Sequence, residues 1–378
     1  MFASFIRLVR EIYQTEDFIP LHAPSFCGNE KQYLLDVIDS SFVSSVGPFV
    51  TQFEEQIANF CGAKHAIATI NGTAALHIAL LLAGVKPGEE VITQAVSFVA
   101  TSNAIHYCGA EPVFIDVDLH TLGLSPAALL AFLQEFAELR DDGVWNKVSG
   151  KRIAACLPMH TFGHPCAIES ILAICKQYRI PVVEDAAEAL GSRFKGRQCG
   201  TFGKLGVLSF NGNKIMTTGG GGMLLTNDAE LAAQAKHLTT TAKVDHPWRF
   251  MHDQVAYNYR MPNLNAALGL AQLEQLPLFI RRKRELALRY KAWAEQQGVA
   301  IVIEPEGTQA NYWLNALLLS NTEERERFLD QTKDAGVMLR PLWELTSNLP
   351  MYSHCQTGDL RNSHYLAERL VNIPSSVV

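Results

Sequence analysis

The sequence lacks the features of a membrane-spanning, secreted or nucleic-acid-binding protein. Its longest apolar stretch, residues 74–85, is interrupted by His77 and is shorter than the roughly 20 residues that cross a bilayer. Arg7, Arg10 and Glu11 interrupt the apolar core that a signal peptide needs. With 32 lysines and arginines against 38 aspartates and glutamates, the net charge is −6, which offers no basic excess for nucleic acid or an anionic membrane. We therefore expect a globular, cytoplasmic protein with neither kind of partner.

The sequence also lacks the motifs of common metal and nucleotide sites. Its eight cysteines form no CxxC pair and lie mostly in apolar segments, which predicts buried, reduced thiols. His160 and His164 have the spacing of a helical zinc site, but the glycine and proline beside them predict a loop, so we expect no metal. The glycine-rich segment 219–222 is not followed by GKS or GKT, and the GxxGxxG pattern of residues 200–206 does not join a strand to a helix. Neither a P-loop nor NAD binding is supported.

Apolar, β-branched runs alternate with helical patterns through the first two thirds of the chain, which is typical of parallel strands covered by helices on both faces. The predicted strands are HAIATI, EEVITQ, EPVFIDV, KRIAACLPMH, IPVVEDA, LGVLSF and GGMLLT. We predict an α/β protein in which residues 1–245 form an N-terminal arm and a large domain with a mixed, mostly parallel sheet between helices. Residues 246–378 are predicted to form a junction loop and a smaller α+β domain.

Two polar segments follow predicted strands, at the edge of the sheet where α/β proteins bind ligands. Asn71, Gly72 and Thr73 lie between a strand and a helix, where free N–H groups and the helix dipole suit a phosphate, although an ordinary capped turn has the same composition. Asp185 and Glu188 follow the apolar run IPVV, where a carboxylate is either buried beside a cationic partner or placed at a helix N-terminus. Each pattern is weak by itself.

A lysine between two apolar strands completes the pattern. Lys214 follows Ser209 by five residues and precedes the glycine-rich segment 219–222, which permits close approach of the backbone to a bulky group. This lysine is either a surface residue or one that forms a Schiff base. A phosphate-binding turn, a buried carboxylate and a serine followed by a lysine, each at a strand end, are together the equipment of a pyridoxal phosphate enzyme.

Longer motifs run in order along the chain from about Leu21 to Pro350, among them AIATINGTAALHIAL, VVEDAAEALGS, SFNGNKIMTTGGGGML and YNYRMPNLNAALGLAQL. They resemble the pyridoxal-phosphate nucleotide-sugar aminotransferases of the DegT/StrS type, which belong to the fold type I, aspartate aminotransferase-like superfamily. SFNGNK, PMHTFGHP and TTAKVDHPWRF most resemble the branch that aminates C4 of nucleotide-linked 4-keto-6-deoxy N-acetyl sugars toward bacillosamine or legionaminic acid. Relatives that dehydrate carry His in place of Lys214, so amino transfer is favoured.

The resemblance implies a role for each residue at the cofactor. Lys214 would hold the aldehyde of pyridoxal phosphate and later move a proton, and Asp185 would pair with the pyridine nitrogen. Phe98 would lie against the ring, with a place in the core as the alternative, and Glu188 stands where many relatives have Gln. Asn258 would reach the phosphate from a neighbouring subunit, which implies a homodimer with shared active sites. The predicted cofactor-binding residues are Gly72, Thr73, Phe98, Asp185, Glu188, Ser209, Lys214 and Asn258.

The implied substrates are L-glutamate and a UDP- or GDP-linked 4-keto-6-deoxy sugar, whose diphosphate needs local cations in this acidic protein. The predicted substrate-binding residues are Arg260, His160, Lys243 and Arg249. Plain surface charge is the alternative for Lys243 and Arg249, and a satisfied loop histidine is the alternative for His160. We expect Trp313 and Trp343 to pack in the core, with a wall of the nucleotide site as the alternative.

Three other functions stay open on sequence alone. Members of the same family aminate C3 of the sugar. A lyase on the same fold would need a reactive cysteine in a mobile loop, and no cysteine here lies in an evident glycine- or histidine-rich exposed loop. A cofactor-binding regulator would lack Lys214 or carry a DNA-binding helix-turn-helix, and this chain shows neither feature.

Overall fold

The computed structural model describes all residues from Met1 to Val378 and contains eleven α-helices. They are α1 (Phe2–Tyr13), α2 (Glu30–Ser40), α3 (Pro48–Cys61), α4 (Gly72–Ala83), α5 (Val99–Tyr107), α6 (Pro126–Phe136), α7 (Ile168–Gln177), α8 (Ala229–Thr239), α9 (Asn263–Gln297), α10 (Thr322–Asp334) and α11 (Arg361–Arg369). None of them combines the length and the apolar composition that crossing a membrane requires.

The structure also contains eighteen β-strands, most of them short. They are β1 (His65–Thr69), β2 (Glu90–Gln94), β3 (Glu111–Ile115), β4 (Ala137–Arg140), β5 (Gly143–Asn146), β6 (Arg152–Leu157), β7 (Val183–Asp185), β8 (Arg193–Phe194), β9 (Arg197–Gln198), β10 (Leu205–Ser209), β11 (Gly222–Thr226), β12 (Lys243–Val244), β13 (Met251–His252), β14 (Ala300–Ile301), β15 (Thr308–Gln309), β16 (Asn315–Leu318), β17 (Arg340–Pro341) and β18 (Leu370–Ile373).

A mixed sheet lies at the centre of the first part of the chain. Strand β11 is antiparallel to both β1 and β10, β10 is parallel to β7, and β2 is parallel to both β3 and β6. Parallel bridges from Cys156 to Val182 and from Met159 to Asp185 join β6 to β7, so the order is β1-β11-β10-β7-β6-β2-β3. Nearly all residues of these strands are buried, because helices cover both faces. The predicted α/β fold with a mixed, mostly parallel sheet is confirmed.

The strand directions bring the predicted site together at one edge of this sheet. Strands β1, β7 and β10 run the same way, and they end at Thr69, Asp185 and Ser209. Helix α4 begins at Gly72, directly after β1, and is buried on nearly all sides because it packs between the sheet and helices α5 and α8. Its first turn therefore lies at the same edge as Asp185 and Ser209.

The second part of the chain forms a smaller antiparallel sheet in the order β14-β16-β18-β17, flanked by α10 and α11. Helix α9 joins the two parts of the molecule. Leu273 and Leu276 in its first half lie in the core that contains Phe53 of α3, whereas Tyr290 and Trp293 in its second half lie in the core of the smaller sheet.

The N-terminal helix is placed differently from the prediction, which assigned the N-terminal arm to the large domain. Phe5, Val9 and Ile12 of α1 form one apolar stripe that packs into the core of the smaller sheet, beside Tyr290 and Phe328. The smaller sheet leaves apolar side chains of α9 and α10 uncovered. These side chains form a groove, and α1 packs into it.

Asp116 ties the two parts together at another point. Its carboxylate accepts hydrogen bonds from the backbone N–H groups of Asn362 and Ser363, both at 2.8 Å, and from the Ser363 hydroxyl at 2.6 Å. These N–H groups belong to the first turn of α11, whose donors have no partner within the helix. A carboxylate from the large domain thus caps a helix of the smaller one.

Truncating Phe5 should destabilise the protein by about 3–5 kcal/mol, because Phe5 is fully buried and its loss leaves a cavity. Its ring lies 5.0 Å from that of Phe328 and 5.2 Å from that of Trp293. F18A is the matched control, since Phe18 is 64% exposed, and it should change stability by less than about 0.5 kcal/mol. Urea unfolding followed by tryptophan fluorescence measures both, and equal effects would contradict the packing of α1.

Candidate active site

A cavity of about 300 Å³ opens at the edge of the large sheet where β1, β7 and β10 end. Two tryptophans from the second part of the chain close it on one side. Its main wall residues are Asn71, Gly72, Thr73, Phe98, Thr101, Met159, Asp185, Glu188, Ser209, Asn211, Asn213, Lys214, Trp313 and Trp343. The structure therefore brings together every predicted cofactor-binding residue except Asn258.

Lys214 lies in the loop after β10, with its amine directed into the cavity. Its Nζ donates a hydrogen bond to Oε1 of Glu188 at 3.1 Å and lies 3.9 Å from the centre of the Trp313 ring. The indole N–H of Trp313 donates to the carbonyl of Asn213 at 2.6 Å, so the ring is fixed to the loop that carries the lysine. The amine is thus held by one carboxylate and covered by one aromatic face.

Asp185 ends strand β7 and is buried at the floor of the cavity. Its carboxylate accepts hydrogen bonds from the Thr101 hydroxyl at 2.7 Å and from the Ala187 N–H at 3.1 Å, and no cation lies within ion-pair distance of it. Burial raises the pKa of Asp185, and the hydrogen bond from Thr101 opposes that rise. A buried carboxylate that has only neutral donors is suited to a cationic ligand group.

Glu188 is also buried, and its second oxygen accepts a hydrogen bond from the backbone N–H of Phe162 at 2.8 Å. Burial raises the pKa of Glu188, and the nearby Lys214 ammonium opposes the rise. The side chain therefore links the lysine to the loop after β6 in addition to balancing its charge.

The turn before α4 forms the opposite end of the cavity. Asn71 caps the helix by accepting a hydrogen bond from the N–H of Ala74 at 2.8 Å. Gly72 lies so near Ser209 that a Cβ added to it would be 3.0 Å from Cβ of Ser209, and a Cβ added to Gly222 would be 2.5 Å from the Asn71 backbone. The absence of side chains here lets the helix start, with its free N–H groups, approach the Ser209 hydroxyl.

Aromatic side chains form the remaining walls. Phe98 lines the cavity, is 49% exposed, and makes an edge-on contact with Trp343 at 6.1 Å between ring centres. Trp313 is buried in the core and Trp343 packs against the same core, as expected, and both also line the cavity. Trp313 and Trp343 belong to the second part of the chain, and they reach the site because the smaller sheet packs against the large one.

These features fit pyridoxal phosphate. Helix N–H groups and the Ser209 hydroxyl suit its phosphate, the Asp185 carboxylate suits a protonated ring nitrogen, and the Lys214 amine suits its aldehyde. Phe98 offers a flat apolar face to the ring.

The structure corrects the prediction that His160 faces the sugar. His160 is completely buried and is not part of the cavity wall. One ring nitrogen lies 3.0 Å from the Glu184 carboxylate and the other accepts a hydrogen bond from the N–H of Cys166 at 3.1 Å. Both nitrogens are therefore used inside the core, as in the alternative of a satisfied histidine.

Four further predicted residues lie outside this cavity. Arg260 donates from Nε to Oδ1 of Asn258 at 3.0 Å on the segment that runs beside the end of β1. Lys243 lies over the Phe250 ring at 5.0 Å, and Arg249 is exposed on the loop between β12 and β13. None of these four residues, Asn258 included, is among the wall residues of the cavity.

Thr101 is the site residue that sequence reasoning missed. It accepts a hydrogen bond from Ser97 and donates one to Asp185, both at 2.7 Å. Ser97 precedes the N-cap of α5 and Thr101 lies in its first turn, and no sequence feature points either of them at Asp185.

The fold and the cavity define a fold type I enzyme with a site for pyridoxal phosphate. Residues 25–377 match the DegT/DnrJ/EryC1/StrS aminotransferase family, so the chain belongs to this family and is a pyridoxal-phosphate-dependent sugar aminotransferase.

Individual relatives agree with this assignment. The chain is 37% identical over 362 residues to GDP-perosamine synthase of Escherichia coli O157:H7, which covers 95% of this chain and 93% of that protein. It is 35% identical over 365 residues to GDP-perosamine synthase of Caulobacter vibrioides, covering 94% and 93% of the two chains. Among solved structures, the aminotransferase TlmJ from Streptoalloteichus hindustanus is 29% identical with a TM-score of 0.85, covering 94% and 93%.

The buried Asp185 predicts how the cofactor-free protein responds to pH. Burial raises the pKa of Asp185. The folded chain therefore keeps the Asp185 proton up to a higher pH than the unfolded chain, in which an aspartate has a pKa of about 4. The free energy of unfolding therefore falls as the pH rises above about 4, until the pH exceeds the folded-state pKa. D185N lacks this loss, so its stability relative to wild type should increase with pH.

Thermal unfolding of both proteins between about pH 3 and pH 8 measures this difference. E111Q is a control of opposite sign, because the hydrogen bond from Lys151 lowers the pKa of Glu111. Its stability relative to wild type should decrease as the pH rises through the lower part of that range. A decrease for D185N as well would contradict the unpaired burial of its carboxylate.

Proposed function

We propose that the protein transfers the amino group of L-glutamate to C4 of a nucleotide-linked 4-keto-6-deoxy hexose, in surface polysaccharide or nonulosonic acid biosynthesis. The observation that carries the proposal is the placement of Lys214, Asp185 and the α4 turn around one cavity in a member of a sugar aminotransferase family. GDP-perosamine synthase, a 4-aminotransferase acting on a GDP-sugar, is among the relatives and supports both C4 and GDP. The N-acetyl sugars of the bacillosamine and legionaminic acid branch are the alternative substrates.

Bound pyridoxal phosphate would supply the aldehyde that accepts the donor's nitrogen and the ring that accepts an electron pair. The residues of the chain do the rest. Nζ of Lys214 takes the proton from Cα of the donor, and Glu188 holds that amine at 3.1 Å. Asp185 would pair with the ring nitrogen and keep it protonated, and the Trp313 ring, whose centre is 3.9 Å from Nζ, covers one side of the amine.

The proposal includes a homodimer with shared active sites. Asn258 and Arg260 are not part of this chain's own cavity, which leaves them available to the cavity of a second copy. The loop between β12 and β13 and the residues after it expose Trp248, Phe250 and Val255 by 80%, 84% and 89%. Large exposed apolar side chains of this kind mark interaction surfaces.

Lyase chemistry is not favoured by the structure. Seven of the eight cysteines are buried, Cys27 is exposed, and no cysteine is among the wall residues of the cavity. A reactive thiol that could take sulfur or another group from a bound substrate is therefore not in place.

The direct test follows the absorbance of the protein loaded with pyridoxal phosphate. L-glutamate should bleach the yellow band, and one member of a panel of GDP- and UDP-linked 4-keto-6-deoxy sugars, with and without an N-acetyl group at C2, should restore it. The NMR spectrum of the product then distinguishes an amine at C4 from one at C3. A band that glutamate does not bleach would contradict the proposal.

D185N should still bind the cofactor but lose turnover by about 100-fold or more, because a neutral amide does not keep the ring nitrogen protonated. The measurements are the yellow band and the steady-state rate with glutamate and the sugar. D330N is a matched control, since Asp330 is an exposed aspartate on α10 and is not among the wall residues of the cavity. Full activity of D185N would remove Asp185 from the proposed chemistry.

Mixing two inactive variants tests the shared active site. K214A lacks the amine of its own cavity, and N258A lacks the group offered to the partner's cavity. If each site combines Lys214 of one chain with Asn258 of the other, co-refolded mixtures should regain activity through hybrid dimers that contain one intact site. Mixtures that stay as inactive as the separate variants, with hybrid dimers demonstrated by native mass spectrometry, would contradict the sharing.

A further inference from the structure

A second cavity, of about 530 Å³, lies beside the first. The two share Asn213, Trp313 and Trp343 in their walls, so the second cavity adjoins the loop that carries Lys214. Most of its lining comes from the N-terminal arm and the smaller sheet. The function proposed above assigns nothing to this space.

Besides Asn213 of the shared wall, three polar side chains from distant parts of the sequence line this second cavity: His22, Arg340 and Asn372. Arg340 and Asn372 are opposite each other on the antiparallel strands β17 and β18, so their side chains lie on the same face of the sheet. Ile19 forms a parallel bridge with Val337, so the N-terminal arm lies alongside this sheet. This position brings His22, three residues further on, to the cavity.

None of the three has its polar groups satisfied by the chain. Both ring nitrogens of His22 are buried without a hydrogen-bond partner, and so is Oδ1 of Asn372, a residue that is only 3% exposed. Arg340 is exposed, and it forms no ion pair and no side-chain hydrogen bond with the chain, unlike Arg284, which pairs with Glu304. Buried polar groups without partners are costly, so the polar atoms of His22 and Asn372 indicate a ligand, and Arg340 leaves a cation free beside them.

The charges of the three residues define the ligand's chemistry. Burial lowers the pKa of His22 well below its usual range, and the positive charges of Lys283 and Lys214 lower it further. A neutral imidazole offers one donor and one acceptor, the Asn372 amide can turn to offer either, and Arg340 adds one cation. The cavity is thus equipped for one singly charged anionic group with further hydrogen bonds.

We propose that the second cavity binds a carboxylate of the amino donor while the donor's nitrogen lies beside Lys214. This rests on the proposed function and names the part of that site that takes the donor. A guanidinium pairs with a carboxylate through two parallel hydrogen bonds, and the His22 N–H supplies a third. A nucleotide diphosphate is the other source of anionic oxygens. It carries more charge than one arginine balances, so a single carboxylate fits this cavity better.

Measuring the glutamate half-reaction and the keto-sugar half-reaction separately distinguishes a donor carboxylate from a nucleotide diphosphate in this cavity. R340Q should raise the glutamate concentration needed for half-maximal bleaching of the yellow band by roughly 10- to 100-fold. The rate at which the keto sugar restores the band should stay within about twofold of wild type, since the sugar would not use this cavity. R340K should recover part of the glutamate affinity. R327Q, which removes an exposed arginine on α10, is the matched control and should change neither half-reaction.

A binding measurement tests the subsite without turnover. Glutarate has two carboxylates and no amine, so it should quench the fluorescence of Trp313 and Trp343 in the cofactor-free protein, and R340Q and H22F should weaken that quenching at least about 10-fold. Circular dichroism checks that the variants are folded. Absence of glutarate binding in wild type, or equal binding in R340Q, would overturn the proposal, as would a defect confined to the sugar half-reaction. If wild type does not react with glutamate at all, the proposed function fails, while the glutarate titration still decides on the subsite.

Discussion

The charge balance of one cavity governs how this site is built. Two buried carboxylates, Asp185 and Glu188, face a single lysine, and Lys214 pairs with Glu188 at 3.1 Å. Asp185 is left with the neutral donors Thr101 and Ala187. A buried carboxylate in that position favours a ligand with a cationic group, which a protonated pyridine ring supplies. The surrounding strands, turns and aromatic side chains hold Asp185, Glu188 and Lys214 in this arrangement.

The large sheet provides that constraint, because β1, β7 and β10 end at the same edge. The phosphate-binding turn, Asp185 and the loop of Lys214 each follow one of these strands, so their relative positions depend on backbone hydrogen bonds in the core. The smaller domain adds the aromatic cover. It is held in place by helix α9, by the core that joins Phe53 to Ala316 and Leu370, and by the Asp116 carboxylate at the start of α11. The adjoining cavity of His22, Arg340 and Asn372 exists only because these connections bring the N-terminal arm and the smaller sheet against the lysine loop.

The site residues that could be predicted are those that directly follow a predicted strand. Gly72, Asp185 and Ser209 follow apolar strands, and residues at the carboxyl ends of parallel strands converge, so their proximity follows from the pattern alone. The same argument failed for His160, which also follows a strand, because its ring turns into the core and pairs with Glu184. Strand position determines the edge of the sheet that a residue reaches, but side-chain packing determines whether the residue faces the cavity.

The α/β class, the order of the large-domain strands along the chain, the family and the combination of a lysine with an aspartate at one site could all be predicted from the amino-acid sequence. This was possible because these features depend on apolar periodicity and on short motifs. Three features became visible only in the folded chain: α1 packs with the smaller sheet, Thr101 supports Asp185, and Trp313 and Trp343 line the site. Only the folded chain assembles His22, Arg340 and Asn372. These contacts join segments that are far apart in the sequence, 84 residues in the case of Thr101 and Asp185, so no local pattern encodes them.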